Sequence, residues 1–253
     1  MKVRVLTSAP RASSDHQYLT TFIVDDAVAI DAGCLGLHYA AGDGPRLEHV
    51  FITHAHIDHV CTLPLFLESA SHHRNGPVRV YGSVETLRIL REHLFNNRLW
   101  LDYDLLPDGG SHIDLIQVEA ERTVKIGDLR ITAVPVVHPI PTFGYVIENG
   151  SRTLVFGADS GPTDRIWEVA RATRGLRAVF LECSLPNHLS ELAARTGHLT
   201  PQLWIRELEK IPDGCAIVAV HIKPYHRQQV IAELAALADD RIQIAKPGSE
   251  YAF

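Results

Sequence analysis

The run Thr53-His54-Ala55-His56-Ile57-Asp58-His59 decides how the rest of the chain is read. It carries three imidazoles and one carboxylate between positions 54 and 59, with no cationic side chain among them. An apolar segment, 50–53, leads into it and another, 60–66, follows. A strand that ends in such a loop holds it rigidly, and alternate residues along extended backbone point the same way. His54 and His56 are thus placed to bind one ion, while Asp58 and His59 reach a second. Imidazole and carboxylate together suit zinc, with manganese or iron as alternatives. Four such groups repel one another on protonation, and a metal removes that cost.

Four residues do not complete a two-metal site, so isolated His and Asp at other strand ends come next. His138 follows the apolar run 131–137, Asp159 follows 154–156 in Phe156-Gly157-Ala158-Asp159-Ser160-Gly161, and His221 follows 217–220. A lone histidine at a strand end is more often structural. Three residues in one position type, all of ligand chemistry, converge on the first cluster. The expected sets are His54, His56, His138 and Asp159 on one ion, and Asp58, His59, Asp159 and His221 on the other, with Asp159 bridging. The expected cofactor is two divalent ions, zinc first and manganese or iron second. Two such ions outweigh the two aspartates and leave the pocket locally cationic.

Composition frames this centre. The chain has 253 residues, a formal charge of −6 with histidines neutral, and 15 histidines. Apolar residues make up 46% and charged residues 21%, an ordinary globular balance. The acidic balance argues against nucleic acid as a partner, since such binding needs a basic face. A small anionic substrate held by a local cation is compatible with it, because charge beyond about 8–10 Å is screened. Cys34, Cys61, Cys183 and Cys215 stand far apart without a Cys-x-x-Cys pair, which predicts free buried thiols. No signal peptide or long apolar run is present, so the expected location is cytoplasmic and no membrane partner is expected. A homodimer is compatible with all of this.

Strands are expected at 3–6, 21–24, 28–31, 50–53, 78–81, 115–119, 129–137, 143–147, 153–156, 179–182, 216–220 and, at an edge, 241–245. Valine, isoleucine, threonine and aromatics dominate these runs. Helices are expected at 63–69, 83–94, 163–171, 202–210 and 227–238, where apolar residues recur at turn spacing. Thr200-Pro201 supplies a cap followed by proline at the first helical position. A seam falls near 121–127. The reading is a single domain, 1–253, of two packed sheets with helices outside.

These residues resemble the metallo-β-lactamase superfamily, from Ile30-Asp31-Ala32-Gly33 through the histidine run to His221. The resemblance implies an α/β fold, the αββα four-layer sandwich of two mixed sheets packed face to face, with a dinuclear site at one sheet edge. Asp159-Ser160-Gly161-Pro162-Thr163, Trp167, Leu181-Glu182-Cys183-Ser184, Gly197-His198-Leu199-Thr200-Pro201 and His221-Ile222-Lys223-Pro224 resemble class II 3′,5′-cyclic-nucleotide phosphodiesterases, as do Phe95-Asn96, Trp100 and Asp102. RNase Z is the close relative, with a histidine followed by Gly144-Tyr145 and a pair comparable to Glu182 and His198. Where bacterial relatives carry a Gly-rich turn, this chain has Thr7 to His16 without one, which points to a changed loop at the metal entrance.

The resemblance implies hydrolysis of cyclic AMP or GMP to the 5′-monophosphate by a hydroxide bridging the metals. Asp58, His198 and Glu182 are the candidate catalytic residues. His198 is the candidate acid for the leaving ribose oxygen, oriented by Glu182; the bland alternative is a pair that merely supports the ligands. The rival activities are an RNase Z-like endoribonuclease and a hydrolase of another ester, thioester or lactone. A flavo-diiron-like oxidoreductase and a non-catalytic metal-binding regulator rank below them. Asp31 is expected to organise the loop beneath the metals. His72 and His73 read as solvated helix ends, His226 as a cap of the last helix and His16 as lining the pocket entrance. Cys61 and Cys183 read as buried small residues. Asn96, Trp100 and Tyr103 could contact a base or serve as core and helix-end residues.

Overall fold

Apolar alternation along the strands sets the layering. Val28 and Ile30 pack in one cluster while Ala29, between them, packs in another. Ala178 and Phe180 separate in the same way from Val179 and Leu181. Extended backbone turns successive side chains to opposite faces, so each of these strands is covered on both sides. The computed structural model describes residues 1–8, 15–39, 47–71, 76–103 and 113–253.

The first sheet contains β1 (Lys2–Val5), β2 (Phe22–Val24), β3 (Val28–Ile30), β4 (His49–Phe51), β5 (Val78–Gly82) and β6 (Ile113–Gln117), and β14 (Glu250–Ala252) joins it beside β1. Its order is β14-β1-β2-β3-β4-β5-β6. The second contains β7 (Thr123–Ile126), β8 (Leu129–Val136), β9 (Thr142–Asn149), β10 (Arg152–Phe156), β11 (Leu176–Glu182), β12 (Ala216–Val220) and β13 (Ile242–Ile244), in the order β13-β12-β11-β10-β9-β8-β7. Val3, Phe22, Ile30 and Phe51 of the first sheet meet Ile131, Tyr145, Phe156 and Phe180 of the second in one buried core. Phe22 lies 5.3 Å from Phe156 and 5.6 Å from Phe180, ring centre to ring centre.

Helices cover both outer faces. On the first sheet α1 (Leu35–His38), α3 (Leu63–Ser71) and α4 (Val84–Ile89) bury Leu35, Leu63, Phe66 and Leu87 against Val50, Ile52 and Val80. On the second, α5 (Arg165–Ala172), α7 (Pro201–Leu208) and α8 (Arg227–Ala235) bury Trp167, Trp204 and Val230 against Val155, Val179 and Ile217. This is the αββα sandwich, with mixed sheets. The Ser83 hydroxyl accepts from Thr86 N to start α4, and Thr200 accepts from Leu203 N to start α7.

Several boundaries differ from the sequence expectation. The stretch read as a seam holds β7, which lies at a sheet edge and alternates exposed with half-buried residues. The expected helix 83–94 is α-helical only to Ile89 and continues as a π-helical turn, Leu90–Leu94. Cys61, the C-cap of α2 (Ile57–Val60), is exposed, against the expectation of burial. His226 stands at the N-terminus of α8, but its side chain makes no capping bond. Asn96 Nδ2 donates to Glu92 O, and its Oδ1 accepts from the amides of Arg98 and Leu99, so it caps its own loop. Trp100 Nε1 donates to the Tyr103 hydroxyl, and both pack with the outer cluster of the first sheet. His72, His73 and most of the loop from Thr7 to His16 lie outside the described residues.

Direction is what positions the site. β3, β4, β5 and β6 pair in parallel, as do β10, β11, β12 and β13. β9 is antiparallel to both β8 and β10, so β8 runs the same way as β10. The loops after β4, β8, β10, β11 and β12 therefore carry the chain's ionisable motifs at the C-terminal ends of strands, where α/β sheets place ligands.

Candidate metal centre

The loop after β4 is pinned from beneath by Asp31. This buried carboxylate accepts from Thr53 N at 2.8 Å and from Thr53 Oγ1 at 2.9 Å, and His59 Nδ1 lies 2.7 Å away. A carboxylate only accepts here, so His59 donates through Nδ1 and turns Nε2 outward. The Thr53 hydroxyl spends its proton on Asp31 and accepts from His54 Nδ1 at 3.0 Å, which leaves His54 Nε2 as a lone pair. One aspartate thus sets the tautomer of two imidazoles, the organising role expected of it. Gly33 makes the close approach: a Cβ there would stand 2.0 Å from Asp58 O and 2.7 Å from Thr20 N.

His138 arrives from β8 with its Nδ1 donating to Gly197 O at 3.0 Å, so its Nε2 is also unprotonated. That atom lies 3.3 Å from His56 Nδ1, which lies 3.0 Å from His54 Nε2. On the other side, His221 Nε2 stands 3.1 Å from Asp58 Oδ2. Asp159 Oδ2 joins the two groups, 4.0 Å from His54 Nε2 and 3.4 Å from both His59 Nε2 and His221 Nε2. His54, His56 and His138 form one group whose ligand atoms lie within 4.8 Å of one another; His54, His59 and Asp159 form another, and Asp58, His59 and His221 a third. All seven residues singled out from the sequence are brought together.

The donor set fits a divalent metal. His59 Nε2 is buried without a hydrogen-bond partner, an orphan that a coordinate bond would satisfy. Burial, aided by His59, holds the His54 pKa well below its ordinary value, and burial lowers His56 and His138 as well. Neutral imidazole is the form that binds metal. Burial works to lower His59 too, but Asp159 and Asp31 outweigh it and hold it well above its usual range. Burial would raise both Asp58 and Asp159, yet histidines around them hold each carboxyl well below the usual range. The centre draws positive charge onto itself, and a divalent ion supplies it.

Glu182 ends β11 fully buried. Its Oε1 accepts from Leu199 N at 3.0 Å and lies 2.9 Å from His198 Nδ1, and its Oε2 accepts from Ser184 N at 2.8 Å. His198 Nδ1 therefore carries the proton. Burial lowers the His198 pKa, but Glu182 more than reverses this and leaves it raised. A ring nitrogen of His198 comes within 4.8 Å of ligand atoms of Asp159 and His221, so the pair borders the centre.

Two residues given no role from sequence lie here. Ser184 Oγ donates to His221 O and sits 3.0 Å from His221 Nδ1, so it receives that proton and leaves His221 Nε2 free for the centre. Lys223 Nζ lies 3.3 Å from Asp58 Oδ2. Both stand inside motifs noted above, but only their partners across the fold reveal what they touch.

A family model described as a beta-lactamase superfamily domain matches residues 33–222, from the Asp-Ala-Gly turn to one residue past His221. The chain belongs to this superfamily. Within it, a protein from Yersinia pestis named probable 3′,5′-cyclic-nucleotide phosphodiesterase is 28% identical over 210 residues, 72% of this chain and 59% of that relative. A Ribonuclease BN from Erwinia tasmaniensis is 32% identical over 106 residues, 41% of this chain and 32% of its own length. The chain thus spans under two thirds of each of these relatives. Unliganded yeast PDE1 superposes with a TM-score of 0.78 at 17% identity over 98% of both chains, a likeness of fold.

Proposed function

We propose that this superfamily member is a hydrolase, a metal-dependent phosphodiesterase that opens 3′,5′-cyclic nucleotides to nucleoside 5′-monophosphates. The observation that carries the reading is the pair of donor groups joined at Asp159 Oδ2 with the Glu182–His198 pair on their border. The name of the Yersinia pestis relative favours the cyclic-nucleotide substrate within that class.

His54, His56, His138 and Asp159 would hold one divalent ion, and Asp58, His59, Asp159 and His221 a second, with zinc preferred over manganese or iron for this donor set. Bound there, such ions supply Lewis acidity toward a phosphoryl oxygen and activate water near neutral pH. The chain supplies the rest. Asp31, Ser184 and Gly197 O hold the ligand imidazoles in the tautomer that faces the centre. Opening the ring breaks the bond between phosphorus and the ribose 3′ oxygen, which must gain a proton. His198 gives it: Glu182 fixes the ring through Nδ1 and raises its pKa, so a proton is held ready at Nε2. The proton is then restored from solvent, because His198 is partly exposed, with 12% of its side chain accessible.

Incubating the metal-loaded chain with cyclic AMP, cyclic GMP and bis(p-nitrophenyl) phosphate tests the reading. Release of 5′-monophosphate is expected. Turnover confined to thioesters or lactones would overturn it. The match to Ribonuclease BN favours a second reading, an RNA endonuclease, and cleavage of a tRNA precursor with no action on cyclic nucleotides would support that instead.

A further inference from the structure

Lys223 lies two residues beyond His221, just before the short 3₁₀ turn Pro224–His226. Its Nζ stands 3.3 Å from Asp58 Oδ2 and 3.4 Å from His221 Nε2, and its side chain is 37% exposed. The ammonium therefore has one side on the donor cluster and the other toward solvent. Among the described residues it is the one lysine or arginine paired with a candidate ligand.

That pairing competes with metal binding for Asp58 and His221. An ammonium has three donors and no lone pair, so it cannot join a coordination sphere. It occupies an Asp58 oxygen and the His221 nitrogen, two groups that would hold a divalent ion. A divalent ion held there would take the His221 lone pair and set a like charge beside the ammonium. Its four-carbon stem is long and flexible, and the exposed side is where the ammonium turns. The charged donor would then border the centre on its solvent-facing side.

We propose that Lys223 is the anion clamp of this site, whose ammonium pairs with a charged phosphoryl oxygen once a metal has displaced it from Asp58 and His221. The inference deepens the phosphodiesterase reading and rests on it for the substrate. It assigns the site a preference for anionic phosphate esters over neutral esters, set by one side chain that touches substrate and no metal.

Calorimetric titration of the metal-loaded full chain with inorganic phosphate tests it, alongside Lys223→Met and Lys223→Arg and with metal content measured on each. A hydrogen bond to a charged group is worth enough that Lys223→Met should weaken phosphate about tenfold. Metal content should stay equal, and Lys223→Arg should keep most of the affinity because it keeps the charge. On bis(p-nitrophenyl) phosphate, Lys223→Met should raise KM more than it lowers kcat. Unchanged phosphate affinity in Lys223→Met overturns the clamp, as does a loss that tracks loss of metal, since Lys223 would then act through Asp58. If no phosphodiester is cleaved, the functional reading fails, while the phosphate titration still decides the role of Lys223.

Discussion

At the scale of single residues, carboxylates placed behind histidines decide which nitrogen faces the centre. Asp31 does this for His59 directly and for His54 through the Thr53 hydroxyl. Asp31→Asn keeps the shape and replaces one acceptor oxygen with a donor. Metal affinity should fall about 10–100-fold, as for other groups that orient ligands, and zinc titration of the folded variant measures it. Glu182 does the same for His198 and raises its pKa, against the lowering effect of burial. In the proposed donor role it is the protonated form that acts, which persists below that raised value and is lost as pH rises through it. The rate should therefore fall on the alkaline side, and His198→Ala should lower kcat by about 10²–10⁴-fold, abolish that alkaline limb and retain metal. A variant with full turnover and an unchanged pH profile would leave the pair with a supporting role only. The ligands themselves were legible because His and Asp at strand ends are conspicuous. Asp31 was legible as a loop organiser. Ser184 and Lys223 were not, because a hydroxyl or an ammonium acquires a role only from what it meets across the fold.

At the scale of elements, sharp turns bring the ligand loops together. Asp31, Ala158 and His221 all have left-handed backbone, with φ of 61°, 54° and 56°. For residues with a Cβ this conformation costs on the order of 1–2 kcal/mol each. Five other described non-glycine residues share this conformation, and these three are the ones that adjoin or supply the ligands. Gly197 ends α6 (Ser190–Thr196) at φ +66°. A Cβ there would stand 2.6 Å from Pro139 Cδ and 3.1 Å from His138 Nδ1. Gly197→Ala should therefore cost about 1–2 kcal/mol of stability and also weaken metal binding by pushing His138 off its carbonyl acceptor, readable by thermal melting and zinc titration. The long apolar strands were visible in the sequence because burial on both faces leaves an unbroken apolar run. β7 and β14 escaped because edge strands bury little: β7 exposes alternate residues, and β14 has three residues with only Tyr251 half-buried. α6 escaped for a similar reason, since only Ala193 of its seven residues is buried and no apolar stripe marks it. The π-helical turn after α4 has no periodic signal that distinguishes it from helix.

At the scale of the whole molecule, the centre joins the two sheets. His54, His56, Asp58 and His59 follow a strand of the first sheet, and His138, Asp159 and His221 follow strands of the second. Tyr145 reaches across the same seam, its hydroxyl donating to Ile52 O at 2.7 Å, and Phe143 N donates to Thr53 O at 3.0 Å. Metal that binds only when both sheets are in place stabilises the folded state by mass action. Removing it with a chelator should lower Tm by about 5–10 °C, and added zinc should restore it, as calorimetry with and without chelator would show. An unchanged Tm would mean that the sheets are held by their shared apolar core alone. The chain's own residues fixed the strand-rich layers and the ligand inventory, since unbroken apolar runs mark strands buried on both faces and His and Asp are the residues metals need. Which nitrogen the ligand imidazoles present, and that Ser184 and Lys223 stand among them, came only from the folded arrangement. These depend on distances between loops far apart in the chain, which local periodicity does not encode.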